Sequence, residues 1–260
     1  MEHTPDPIAA IFLARDALLL DAVDAIRHLD ATLERHRGNG LGIGRTSVLD
    51  HARAARGMAE FQAALERDLD QDAWWRVFDR AGVWLRMDPH TEQRWRETLR
   101  QRRMGPLTPE AVERVLAELD ANQAAMDEAG LAYVLRRGGA WDQARGQPMC
   151  LGSTMTWTLA RELSGLSMGA QLGVNFLERR LARLDQQPIP GEGTRAGDVI
   201  YHGMRATTGE VRTPYFRAQW FKNANMRLHF TRPDLVARLN QEILQAFPEA
   251  LPAKRAFPAP

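Results

Sequence analysis

From Ile8 to His36 the apolar residues Ile11, Leu18, Leu19, Val23, Ile26 and Leu29 recur at spacings near three and four, which predicts one amphipathic helix. Two glycines in Arg37-Gly38-Asn39-Gly40 stop it. Ser47 or Asp50 is placed to cap a helix running to about Leu69. Asp70 is placed to cap a second, whose Trp74, Trp75, Val77 and Phe78 form the aromatic stripe of a core. Asp88-Pro89 opens the next helix, which contains Arg94-Trp95-Arg96 and ends in Arg100-Gln101-Arg102-Arg103. Gly105-Pro106 breaks the pattern, and Thr108-Pro109-Glu110 restarts it with a capping hydroxyl and a first-turn proline. This helix runs through Val112, Val115, Leu116 and Leu119 to about Ala129. Residues 137–148 are rich in Gly, Arg and Gln and read as an exposed loop or a connection between subdomains. Residues 154–163 fit either strand or helix, and the Thr-Met-Thr-Trp-Thr start leans towards strand. A helix over Leu172 to Leu184 follows and stops at Gln187-Pro188-Ile189-Pro190-Gly191.

The last third changes period. Asp198-Val199-Ile200-Tyr201-His202 reads as a strand, and Tyr215 to Phe230 as a β-hairpin turning at Lys222-Asn223-Ala224. Its register follows from burial. A two-residue loop would set Trp220 opposite Arg227 and mix both faces. A three-residue loop pairs Trp220 with Met226, Ala218 with Leu228 and Phe216 with Phe230, so that one face is wholly apolar. The other face then carries Tyr215, Arg217, Gln219, Arg227 and His229, with Phe221 opposite Asn225. In such a loop Ala224 falls where φ is normally positive, at a cost of about 1 kcal/mol relative to Gly. Thr231-Arg232-Pro233-Asp234 starts a final helix through Leu235, Leu239 and Ile243, and the Pro/Ala-rich end reads as disordered. The fold class is therefore α+β: a mainly helical N-terminal two-thirds, then a small, mostly antiparallel sheet with a C-terminal hairpin and a packed helix. In chain order this is a helical region over 1–136, an α+β region over 137–250 and a tail over 251–260.

Composition narrows the chemistry. The 260 residues are 44% hydrophobic and carry 34 Lys+Arg against 33 Asp+Glu, the profile of an ordinary globular chain and not of a disordered one. Only two of the basic residues are Lys, Lys222 and Lys254, and an Arg bias suits phosphate contacts and base stacking. It is equally the mark of a GC-rich coding sequence, and a net charge of +1 favours that explanation. One cysteine, Cys150, excludes an internal disulfide and any Cys-rich zinc site, and with no signal-like start or long apolar run the expected location is the cytoplasm. The seven histidines lie at no metal-ligand spacing, and no metal or cofactor is expected. Gly38 to Gly44 fails the spacing of a phosphate-binding loop. Nucleophile-elbow and dinucleotide or methyltransferase glycine patterns are missing too.

The stretch Tyr215-Phe216-Arg217-Ala218-Gln219-Trp220-Phe221-Lys222-Asn223-Ala224-Asn225, followed by Phe230-Thr231-Arg232-Pro233-Asp234-Leu235-Val236, resembles the ending of the DUF4942 family, a domain of unknown function. Ala73-Trp74-Trp75, Ala81-Gly82, Met87-Asp88, Trp95, Pro106-Leu107-Thr108, Met126 to Gly130 and Leu177 to Asp185 fall in the family's order, so the resemblance spans roughly Arg15 to Ala246. It implies a setting on prophages, phages and genomic islands, near toxin–antitoxin, antirestriction and DNA methyltransferase genes, and no particular activity. Two departures stand out: Ala224 occupies a turn position where the family usually has Gly, and Arg227 a position where it commonly has His.

Two kinds of function remain. The first is a non-enzymatic accessory protein of a mobile element, acting on DNA, single-stranded or duplex, or on a host or phage restriction or replication partner, with no membrane involved. Its binding candidates are the hairpin residues Tyr215, Arg217, Gln219, Phe221, Lys222, Asn223, Asn225, Arg227 and His229, together with Arg96, Arg100 and Arg103 on one face of a helix end. Rings interleaved with cations bind single-stranded nucleic acid by stacking and phosphate contact. The second is a nucleic-acid-modifying or cleaving enzyme sited around Tyr201, His202, Asn223, Asn225 and His229, with His202 and His229 on neighbouring strands. A toxin-like or partner-binding protein is a third reading.

Overall fold

The computed structural model describes residues 7–36, 58–158, 166–206, 209–222 and 225–254. The Gly-rich stretch at 38–46 and the turn residues Asn223 and Ala224 lie outside them. The described chain is α+β and divides into two compact units, Met1–Trp84 with Arg96–Glu118 and Leu85–Trp95 with Leu119–Pro260.

The first unit is helical. α1 (Pro7–His36) packs along α2 (Met58–Arg80), and the Arg15 guanidinium lies 2.6 Å from the carboxylate of Asp70. That pairing explains a difference from the expected pattern. Asp70 caps no second helix; its charge is met by a tertiary partner, and α2 runs through it unbroken. Trp74, Phe78 and Trp84 then pack edge to face, and the indole N–H of Trp84 donates to Asp79 at 2.7 Å. α3 (Pro89–Arg100) begins where expected, with Asp88 Oδ1 accepting from the amides of His90 and Thr91. It ends one turn earlier than the Arg100 to Arg103 run suggests. Arg102 takes a left-handed φ of 54°, its N–H donates to Leu99 O, and the Arg103 N–H donates to Thr98 O. This is a Schellman stop with Arg in the usual glycine place. Thr108 caps α4 (Pro109–Ala121) by accepting from the Ala111 amide. The pattern expected to reach Ala129 is split at Asn122, after which α5 (Gln123–Arg137) begins as part of the second unit.

The second unit is built on a four-stranded antiparallel sheet. β3 (Thr154–Thr158), β4 (Glu210–Arg212), β5 (Phe216–Trp220) and β6 (Asn225–Phe230) are ordered β3-β6-β5-β4. The hairpin has the register that burial demands: Phe216 opposite Phe230, Ala218 opposite Leu228, Trp220 opposite Met226. The Phe221 N–H closes it on Asn225 O at 2.9 Å. Before the sheet, β1 (Trp141–Asp142) and β2 (Gln147–Pro148) form a small hairpin, turned by Asp142 Oδ1 accepting from the amides of Ala144 and Arg145. The segment expected as an exposed loop is thus ordered by an Asx turn.

Helices pack on the apolar sheet face. α6 (Met168–Leu184) contributes Leu177 and Leu181, and α8 (Pro233–Ala246) contributes Val236, Leu239 and Ile243, to one core with Trp157, Phe216 and Met226. α6 approaches so closely that a Cβ on Gly173 would stand 2.5 Å from the Trp157 ring. Between them in the chain lies α7 (Ala196–Arg205), where the sequence pattern suggests a strand over 198–202. The helix wins because its first amides find acceptors on α6. Ala196 N–H donates to Glu178 Oε2 at 2.6 Å, and Gly197 N–H to Asn175 Oδ1 at 2.7 Å. The Pro/Ala-rich end is not free from residue 251: Leu251 bridges to Met149, its amide donating to Pro148 O and its carbonyl accepting from Cys150 N–H. Residues 255–260 lie outside the described ones.

Candidate functional site

Alternation along the four strands gathers polar side chains on the sheet face opposite the helices. Two rows cross it. One runs Thr154, His229, Arg217, Arg212, and the other Thr156, Arg227, Gln219, Glu210, each residue facing the next across a strand pair. Thr158, Asn225 and Phe221 continue the face towards the hairpin turn.

Glu210 organises the cations at one edge. Its Oε2 accepts from Gln219 Nε2 at 2.8 Å, its Oε1 from Arg212 Nε at 3.2 Å, and Arg217 Nε stands 3.4 Å from Oε2, close enough for ion pairing without hydrogen-bond geometry. The hydrogen bonds from Gln219 and Arg212 hold the Glu210 carboxyl below its ordinary range. Three guanidiniums against one carboxylate leave the face net positive. Arg227 lies over the Phe221 ring at 5.5 Å, and that ring is 44% exposed. Ring and cation stand together, as a stacking platform requires. His229 sits between Arg217 and Arg227. Burial first, and then these two cations, push its imidazole below 6.5, so it is neutral at neutral pH. Its Nε2, and the Nε atoms of Arg217 and Arg227, are buried with no hydrogen-bond partner among the described residues.

Other expected residues do not join this face. Tyr215 is 4% exposed and packs in the core, its hydroxyl donating to Asp185 Oδ2 at 3.3 Å. It precedes β5, where the pleat no longer sets its direction. His202 is exposed on α7, and α7 packs on the apolar side: a Cβ at Gly203 would meet Val211, which lies opposite Ala218. His202 and His229 therefore belong to opposite sides of the sheet, not to neighbouring strands. Tyr201 also lies on α7, with the Arg205 guanidinium 5.8 Å from its ring. Lys222 is exposed at the turn, and Asn223 lies outside the described residues. Arg96, Arg100 and Arg103 belong to the first unit. Arg96 lies over Trp84 at 4.4 Å, Arg100 pairs with Glu97, and Arg103 leaves the helical face because the chain turns at Arg102.

Sequence reasoning missed Thr154 and Thr156, which join the face by pairing with the distant β6, and Glu210 and Arg212, which join it by pairing with the adjacent β5. The alternation of Thr154, Thr156 and Thr158 with Met155 and Trp157 carried the signal for β3. Among the described residues no three of His, Cys, Asp or Glu gather as a metal site requires, and no helix is long and apolar enough to cross a membrane.

No curated protein and no solved structure matches the chain. The family model of DUF4942, a domain of unknown function, matches residues 66–249, from within α2 to the residues just after α8 and including the whole polar sheet face. With well over half of its length matched, the chain belongs to the DUF4942 family.

Proposed function

We propose that the polar sheet face binds single-stranded nucleic acid without altering it, as the working surface of an accessory protein of a mobile genetic element. The binding half of this reading rests on one observation: Phe221, 44% exposed, lies under Arg227 on a face that also presents Arg217 and Arg212. Exposed rings take bases by stacking, and fixed cations take the phosphates between them. A sheet face suits single strands, whose bases are free to splay onto it. The mobile-element half rests on the resemblance to the family alone.

The test is an anisotropy titration with single- and double-stranded DNA and RNA at two salt concentrations, the products then run on a denaturing gel. Salt-dependent binding of intact single strands is expected. Phe221→Ala should cost about 1–3 kcal/mol of affinity, the worth of one stacked base. The paired change Arg217→Ala with Arg227→Ala should weaken binding and flatten its salt dependence. Binding unchanged in the double variant removes this surface from the reading. No binding of any nucleic acid moves the function to a host or phage protein partner.

One observation favours a second reading, a cleaving enzyme. His229 is a neutral imidazole set between two guanidiniums, as a general base acting beside a phosphodiester would be. Strand scission on the gel that disappears in His229→Gln would establish it. Intact strands leave His229 as part of the binding face.

A further inference from the structure

A cleft of about 190 Å³ opens beside the outer edge of β3, within the second unit. Met149, Leu151 and Met155 give it an apolar lining, and Thr154, Thr156 and Lys254 a polar one. The two threonines end the rows of the polar face, Thr154 opposite His229 and Thr156 opposite Arg227, so cleft and face share a border. The wall is held in place before any ligand arrives. Asn240 on α8 donates from Nδ2 to Leu151 O at 2.9 Å and accepts at Oδ1 from Leu151 N–H at 2.7 Å. The neighbouring Cys150 N–H is tied to Leu251 O at 2.8 Å.

Size and charge select the occupant. Pockets for drug-sized molecules run to about 300–1,000 Å³, so this one admits a single flat ring system. Lys254, exposed and one of only two lysines in the chain, marks the cleft with positive charge, and Arg227 stands one strand in from it, opposite Thr156. We infer that the cleft receives one unstacked nucleobase of the strand that crosses the sheet, with Lys254 and Arg227 meeting the phosphates beside it. This inference rests on the sheet face binding nucleic acid. Pulling one base aside costs little in a single strand. Thioethers of Met149 and Met155 pack against the ring, and the threonine hydroxyls offer both donor and acceptor to its edge.

Cys150 makes the test specific, because it is the only cysteine and it lines the cleft. Burial pushes its thiol up, so alkylation by iodoacetamide is followed at mildly alkaline pH. The rate is measured alone, with a mixed-sequence single strand, and with an abasic strand of equal length, while anisotropy reports binding of both strands. At a concentration about ten times Kd, the base-bearing strand should slow alkylation roughly tenfold, since about one site in ten stays free. The abasic strand should bind and leave the rate nearly unchanged. A bound base-bearing strand that gives no protection overturns the cleft proposal and leaves the sheet-face reading standing. Equal protection by both strands overturns it too, because the backbone alone would then cover the cleft. Failure of both strands to bind overturns the sheet-face reading, and the cleft proposal falls with it.

Discussion

His229 is the residue whose surroundings make the sharpest statement. Its strand neighbours are Thr154 and Arg217, and Arg227 stands two positions away on the same face. Burial is the largest cause that lowers its imidazole below 6.5, with Arg217 and Arg227 next and Glu210 opposing. A depressed base favours folding with its neutral form: that contribution is complete above about 6.5 and is lost as pH falls through the folded value. An NMR titration of the imidazole should give a midpoint below 6.5, and Arg217→Ala should raise it part of the way back. A midpoint unmoved by that change would mean that Arg217 does not act on His229. Tyr215 teaches the opposite lesson. Its place in a ring-and-cation sequence suggested an exposed ring, yet it is core, because the chain before β5 brings its hydroxyl to Asp185.

At the scale of elements, α7 depends on α6. Asn175 and Glu178 project from α6 onto the first amides of α7, whose own N-terminal Arg195 supplies no side-chain cap. Asn175→Ala should cost about 1–3 kcal/mol in urea unfolding, the penalty of leaving the Gly197 amide buried and unmet. Glu178→Ala should cost a similar amount. Glu178→Gln should be milder, since an amide oxygen can still accept from Ala196. Burial, more than the nearby Asp198, raises the Glu178 carboxyl above 4.5. The stability this favours is present at low pH and lost as pH rises through the raised value, so the Gln variant should gain on the parent chain as pH increases towards neutrality. Urea midpoints at two pH values on either side of that transition give the comparison. A Gln variant that loses ground with rising pH would contradict the burial argument.

At the scale of the molecule, a segment distant in sequence is fastened into the second unit by charge. Arg179 on α6 reaches Glu92 at 3.2 Å and donates to Met87 O at 2.7 Å, with both charged side chains almost wholly buried. Arg183 donates to Leu85 O, and Gln123 to Arg86 O. Glu92→Ala would leave a buried guanidinium without its counter-charge, and thermal or urea unfolding should show a loss of about 3–5 kcal/mol. A loss below about 1 kcal/mol would mean that the pair contributes little to holding 85–95 in place. The charge of the whole chain bears on binding as well. A net +1 supplies no long-range attraction, so salt dependence must come from the face itself. If Arg212, Arg217, Arg227 and Lys254 each meet one phosphate of a single strand, log K against log salt should have a slope of about −2.8, falling to about −1.4 in the Arg217→Ala, Arg227→Ala variant. A slope unchanged between the two proteins would place the contacts elsewhere.

Wherever neighbours in sequence suffice, the pattern alone determined the outcome. Asp88 and Thr108 cap the helices they precede, because a cap needs only the next three amides. The hairpin register follows from the demand that one face be dry, which a single alternating stretch already expresses. Partners far along the chain decided the rest. Asp70 is absorbed into α2 by Arg15, and residues 196–205 coil because α6 receives their first amides. Thr156 becomes a neighbour of Arg227 only when β3 closes on the hairpin. Local periodicity records which side of an element faces water, and it carries no record of which distant group will satisfy a buried amide or charge. That second kind of information exists only in the folded arrangement, and the polar face with its adjoining cleft is made of it.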